Sequence, residues 1–295
     1  MFITLFCLFT VLFFFGASAK KFKDYAKKPM HGRQDLYPIP GEEPSKAAHG
    51  GSYFEEQKWF EKRRKKNHLG EIIDMFEEML FIKKLFKKQP KLWWISYSLH
   101  LGIYCVIATI MIAIASVFLP FSGIFIALLT GLLTICGITG GILVSVGCIG
   151  LLVKRIIDQE FRNYTTPQEY FNLAFLLAGS LSGLIAWYKN GKSFSYVKDI
   201  VYNIFHFKPT KGLNKSTIIH LIIFGGLLVY IPLTKMSHYV GKYFAFHKVL
   251  WDNNPNLPDS KVDRTFAEEA SIKPSANMQW SAPHYQAPVD EQKNK

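Results

Sequence analysis

Five apolar runs dominate this sequence of 295 residues, at roughly 2–19, 94–119, 123–153, 170–188 and 217–240. Each is close to or above the ~20 residues that carry a helix across a hydrocarbon core about 30 Å thick. No water is available there to satisfy backbone N–H and C=O groups, so such runs fold as helices. The expected fold class is an all-α integral membrane protein, a five-transmembrane-helix bundle. Composition agrees: 49% of residues are hydrophobic, yet the chain carries 35 Lys and Arg against 22 Asp and Glu. Apolar spans separated by charged loops produce that mixture. The net charge of +13 would otherwise suggest nucleic acid. Here the bases flank apolar spans and no recognition motif accompanies them, so membrane lipid is the expected partner and nucleic acid is not.

Charge bias sets the orientation. No Lys or Arg precedes the first run, whereas Lys20, Lys21 and Lys23 follow it. This places the N-terminus outside and residue 20 onward in the cytoplasm. Ala17-Ser18-Ala19 resembles a signal-peptidase site, so a cleaved signal peptide is the other reading of 1–19, against a first transmembrane helix or signal anchor. Five spans then alternate to a cytoplasmic C-terminus. The segment 20–92 holds 18 Lys and Arg, including the run at 62–66, and the outer loop 189–215 holds six.

Between the spans, Pro38, Pro40 and Pro44 with nearby glycines mark an irregular stretch. The following GEIIDMFEEMLFIKKLFKK repeats apolar residues at helical spacing and reads as a cytoplasmic amphipathic helix, on the membrane surface or against a partner. Trp93 and Trp94 mark the interface where the second span starts, and Pro120 and Ser122 a short outer turn. The six glycines from Gly131 to Gly150 suit close helix approach. A second amphipathic helix is expected in SYVKDIVYNIFHF. The domain plan is a first helix over 1–19, a basic cytoplasmic segment over 20–92, a four-helix membrane core over 93–240 and an extended cytoplasmic tail over 241–295.

Cys7, Cys105, Cys136 and Cys148 all lie in apolar runs, with no CxxC or CxxCH. This excludes covalently attached haem, a zinc ribbon and an iron–sulfur cluster held by this chain alone. The histidines say more. His220 and His238 bound one apolar run, 18 residues or five helical turns apart, so one continuous helix would point both rings to one side, roughly 27 Å apart. His100 opens the second span. With the second and fifth spans antiparallel, His100 and His238 fall at matching depth near the cytoplasmic face. Neutral imidazoles on facing helices hold a haem iron from both sides, so these two are the expected axial ligands of a haem b. His220 lies at the other face and is a possible ligand of a second haem, with His206 a weak partner for it. Pro232 interrupts the helix ladder six residues before His238 and could bend the span around a cofactor. Thr234 and Ser237 are either hydrogen-bond donors to the site or bonded to their own backbone.

The stretches LHLGIY around His100 and HLIIFGGLLVYIPLTKMSHYVGKYF from His220 to Phe244 resemble the respiratory nitrate reductase gamma subunit family, which includes haem b subunits of sulfate-reducer and metal-reducer membrane complexes. The resemblance covers roughly 90–250. HGRQDLYPIP, GGSYFEE, VLWDNNPNLP and WSAPH resemble features of a subgroup. It implies a quinone-reactive cytochrome b, with His100 and His238 on the cytoplasmic-side haem and His220 on an outer one. In two-haem members the partner of His220 lies ten residues after the first histidine. Here that position is Ile110, which cannot bind iron, and the adjacent Met111 is either a flexible core filler or a thioether ligand. One haem is therefore expected, and two remain possible. A cytoplasmic iron–sulfur oxidoreductase subunit is the implied redox partner, quinone or quinol the substrate, and the bacterial cytoplasmic (inner) membrane the location.

Two other classes compete with an electron-transfer subunit. A haem-free structural membrane anchor would keep the fold without the cofactor. A small transporter would show repeats or paired broken helices, and the sequence has one Pro-bearing span and no repeat.

Overall fold

The computed structural model describes residues 1–27, 67–119 and 123–245, with residues 45, 57–58, 259, 264 and 267–268. The expected irregular stretch with its basic run at 62–66, the turn at Pro120 and Ser122, and the tail beyond 245 lie outside the described residues.

Five helices are long and apolar enough to cross a membrane. They are α1 (Phe2–Lys27), α4 (Pro90–Phe118), α5 (Ile124–Ile157), α7 (Pro167–Lys189) and α9 (Lys215–Leu233). Shorter helices are α2 (His68–Phe81), α3 (Lys83–Lys88), α6 (Gln159–Asn163), α8 (Ser195–Phe205) and α10 (His238–Phe244). Local chemistry sets their ends. Pro90 opens α4 and Pro167 opens α7, where a missing N–H costs nothing. Thr166 and Glu169 form a capping box on α7. Asn214 accepts the Thr217 N–H at 2.9 Å to start α9 and donates to the Asn190 side chain at 3.0 Å, which ties that start to the end of α7.

The expected single amphipathic helix at 70–88 is two helices. The chain turns at Ile82, whose backbone is left-handed at φ 51° and ψ 48°. That conformation disfavours a β-branched residue, and nearby contacts offset its cost. Lys83 pairs with Asp74 at 3.3 Å and with Glu77, the Lys84 N–H donates to Glu78 at 2.8 Å, and the Trp93 indole donates to the Phe81 carbonyl at 2.7 Å. Lys83, held by these carboxylates, has its pKa raised, with the Glu77 hydrogen bond the largest cause.

The spans stand in an arc. α4 packs on α5, α5 on α7, α7 on α9 and α9 on α1, while α4 and α9 do not pack along each other. Small residues permit the closest contacts. A Cβ on Gly102 would lie 2.6 Å from the Val144 nitrogen, and one on Gly147 would lie 2.6 Å from the Leu99 nitrogen. Serines stitch the interior: Ser98 donates to the Leu143 carbonyl at 3.0 Å, and Ser145 and Ser180 bond at 2.9 Å. One core cluster joins Leu99, Val144, Cys148 and Leu173; another joins Ala113, Leu133 and Ala186 to Phe194, Tyr196, Ile200 and Val201 of the α8 region. α8 packs on α4 through it and also contacts α1, closing the arc at that end. Large apolar side chains such as Ile135, Val146, Ile185 and Ile222 face outward, as lipid-facing residues do.

Gly147→Ala is expected to destabilise the bundle by about 1–3 kcal/mol, because backbone rather than a flexible side chain blocks the new methyl. Gly131, on the same helix, has nothing within 4 Å of its would-be Cβ. Gly131→Ala should be neutral or slightly stabilising. Thermal unfolding in detergent compares the two, and equal losses would sink this account of the α4–α5 contact.

Candidate functional site

The fifth span is not the continuous helix that the histidine spacing suggests. α9 stops at Leu233, one residue after Pro232; Thr234 is extended, Lys235–Ser237 form a 3-10 turn, and α10 begins at His238 itself. Proline supplies no N–H for the Leu228 carbonyl and its ring crowds the preceding turn, which weakens the last turn of α9. His220 and His238 therefore sit on separate helices. Thr234 and Ser237 serve their own backbone: Ser237 Oγ donates to the Thr234 carbonyl at 2.7 Å, and Thr234 Oγ accepts the Met236 N–H at 3.3 Å.

α1 braces this break. Lys21 Nζ donates to the Pro232 carbonyl at 3.1 Å and to Ser237 Oγ at 2.5 Å. Ser18 and Tyr239 hydroxyls bond at 2.6 Å, and Phe14 stacks on Tyr239 with centroids 6.1 Å apart. Further along, Phe6 fits against Gly225, where a Cβ would lie 2.5 Å from its ring. Thr4, buried, donates to the Lys208 carbonyl at 3.0 Å. Sequence reasoning missed Lys21; the signal was a lysine one turn past an apolar helix end, free to reach another helix's carbonyls.

His100 and His238 meet. Their ring centroids are 6.1 Å apart with planes at 70°. His100 is partly buried on α4, and His238 is exposed at the start of α10. His100 Nδ1 lies 2.7 Å from the Ser96 carbonyl, an acceptor only. The proton is thereby assigned to Nδ1, leaving the Nε2 lone pair of the neutral ring free. The pair is flanked by α2. The Tyr104 hydroxyl donates to the Met79 carbonyl at 2.5 Å, Phe81 stacks on Tyr97 at 6.4 Å, and buried Glu78 accepts from Lys242 Nζ of α10 at 2.9 Å. α2 turns its apolar residues Leu69, Ile72, Ile73, Phe76 and Leu80 outward and Glu78 inward.

His220 occupies a separate place on α9. Its Nδ1 lies 3.1 Å from the Ser182 hydroxyl, which in turn donates to the Gly179 carbonyl at 2.9 Å. That arrangement makes Nδ1 the donor of His220. A Cβ on Gly183 would lie 3.1 Å from its ring, so glycine leaves the room it uses, and Phe224 lies beside it at 5.8 Å. His206 ends α8, stacked on Tyr202 at 4.0 Å with Nδ1 2.8 Å from the Tyr202 carbonyl. Met111 is 59% exposed rather than turned into the core. Among the described residues no group of three or more His, Cys, Asp and Glu converges on a point. His68 lies on α2 beside Glu71, and His31, His49, His247 and His284 lie outside the described residues.

This chain belongs to the nitrate reductase gamma subunit family, whose model matches residues 84–249. Together with its five apolar helices, that makes it a multi-pass membrane protein. It is also similar to the Hdr-like menaquinol oxidoreductase cytochrome b-like subunit of Archaeoglobus profundus, 27% identical over 135 residues. The match covers 40% of each chain, so this chain spans less than half the length of that relative. No solved structure matches.

Replacing Lys21 by Met should leave the Pro232 carbonyl and Ser237 hydroxyl without their shared donor, a loss of about 1–3 kcal/mol. Hydrogen exchange should then quicken across 234–240 and stay unchanged across 175–185. Uniform protection in both segments would refute the bracing role.

Proposed function

We propose that this chain is the haem b membrane subunit of a quinone-linked oxidoreductase. In this reading it carries electrons between the quinone pool and a cytoplasmic-side iron–sulfur partner in a bacterial cytoplasmic membrane. The observation that carries the proposal is the meeting of His100 and His238, from two elements that do not otherwise pack along each other.

The residues fit the group. A metal held between two imidazole nitrogens at about 2 Å each sets the ring centroids roughly 6 Å apart. The observed separation is 6.1 Å. A porphyrin would supply the remaining donors, so two imidazoles would suffice to hold its iron. A bound haem would supply a one-electron acceptor against which a two-electron quinol is discharged in steps. The chain's own work is to hold and orient its ligands. The Ser96 carbonyl fixes the His100 tautomer and strengthens its Nε2 as a donor. The Pro232 break, braced by Lys21, starts a new helix at His238 and so aims that ring independently of α9.

One haem is the better count. The Ser182 bond on Nδ1 leaves Nε2 of His220 as free as that of His100, but the position for its expected partner is Ile110, which cannot bind iron. The family and the menaquinol oxidoreductase relative support quinone as substrate and assembly with further subunits. With no cluster-binding cysteine motif of its own, the chain would pass electrons to a separate iron–sulfur subunit.

The test is the haem-to-protein ratio of the complex purified with its native partners, read from a reduced-minus-oxidised spectrum. A ratio near one is expected, lost in His100→Ala and in His238→Ala and kept in His220→Ala. An intact complex without haem would leave the structural anchor as the function. A ratio near two, halved by His220→Ala, would replace the one-haem count.

A further inference from the structure

We infer that Glu78 and Lys242 form a charge pair that closes α2 over the His100–His238 site and tunes the potential of the iron held there. The inference rests on the haem b reading above.

α2 presents a polar residue to the bundle and an apolar stripe to its surroundings. Apolar burial therefore does not explain why its last turn lies where it does. Glu78 is only 5% exposed, and a buried carboxylate is costly unless paired and hydrogen-bonded. Both conditions are met. Lys242 Nζ donates to one oxygen at 2.9 Å, and the Lys84 N–H donates to the other at 2.8 Å. The pair joins α2 to α10, which carries His238. On its other side α2 joins α4, which carries His100, through Met79 with Tyr104 and Phe81 with Trp93. The strap thus spans the two elements whose histidines meet.

The second consequence is electrostatic. Lys242 lies one helical turn past His238 on the same face of α10, so its charge sits beside the site. A cation beside an iron site favours the reduced state, which carries one positive charge fewer. Glu78 offsets that cation from less than 3 Å away. Removing either member leaves the other uncompensated beside the same centre, so the two removals act with opposite sign. A strap that served only as packing would respond otherwise, since loosening it from either side admits water to the site in the same way.

The experiment is a potentiometric titration of the haem absorbance in the whole complex, for the native protein, Glu78→Gln, Lys242→Met and the double variant. Glu78→Gln should raise the midpoint, Lys242→Met should lower it, and the double variant should return near the native value. If Glu78→Gln alone fails to retain haem, the double variant, which leaves no orphaned cation, should retain it. Shifts in one direction, unmoved midpoints, or haem loss that the double variant does not relieve would overturn the tuning pair. In each of those cases haem retained in the native complex and lost in His100→Ala keeps the haem reading intact. A native complex without haem would end both.

Discussion

A carbonyl that loses its helical donor where water is scarce must find another donor. The fifth span's helix ends one residue after Pro232 and leaves the Pro232 carbonyl in that situation, and the surrounding architecture follows from how it is met. Lys21 reaches the Pro232 carbonyl and Ser237 together, Thr234 and Ser237 close a short turn on themselves, and a fresh helix begins at His238. Had the ladder run unbroken, the His238 ring would have been slaved to the rotation of α9. The break frees it to face His100.

The arc of spans leaves α4 and α9 unpacked against each other, and short amphipathic helices span that opening at its two ends. α8 packs on α4 and on α1, with Phe118 against Phe205 at 4.7 Å. At the other end α2 joins α4 to α10 through the Met79 and Phe81 carbonyls and the Glu78–Lys242 pair. Long helices made rigid by glycine contacts set the walls, and two small polar-edged helices set the separation between them.

Much of this was legible in the sequence, because long apolar runs and Trp or Pro boundaries translate directly into spans. The five helices lie where hydropathy puts them, with α1 running on through Lys20 and Lys21 to Lys27 because lysine is a sound helix former beyond the apolar run. The meeting of His100 and His238 was readable from depth alone. Depth says nothing about continuity, however, and the 18-residue spacing suggested one helix where the chain makes two. Nor does helical periodicity reveal which face of α2 turns inward. The apolar stripe was visible, yet Glu78 is what lies buried, since in a membrane protein the outside is the apolar solvent. Lys21 and Lys242 escaped notice because their partners are far away in sequence, 211 and 164 residues from them.

The pairing of α1 with α9 and α10 also bears on how the chain is made. α1 carries Thr4, Ser18 and Lys21, whose partners lie far later in the chain, between Lys208 and Tyr239. α1 cannot complete these contacts until α9 and α10 have been made. A chain interrupted before its fifth span would carry exposed polar groups at membrane depth and only one of the two meeting histidines, a ready mark by which quality control could tell unfinished molecules from finished ones.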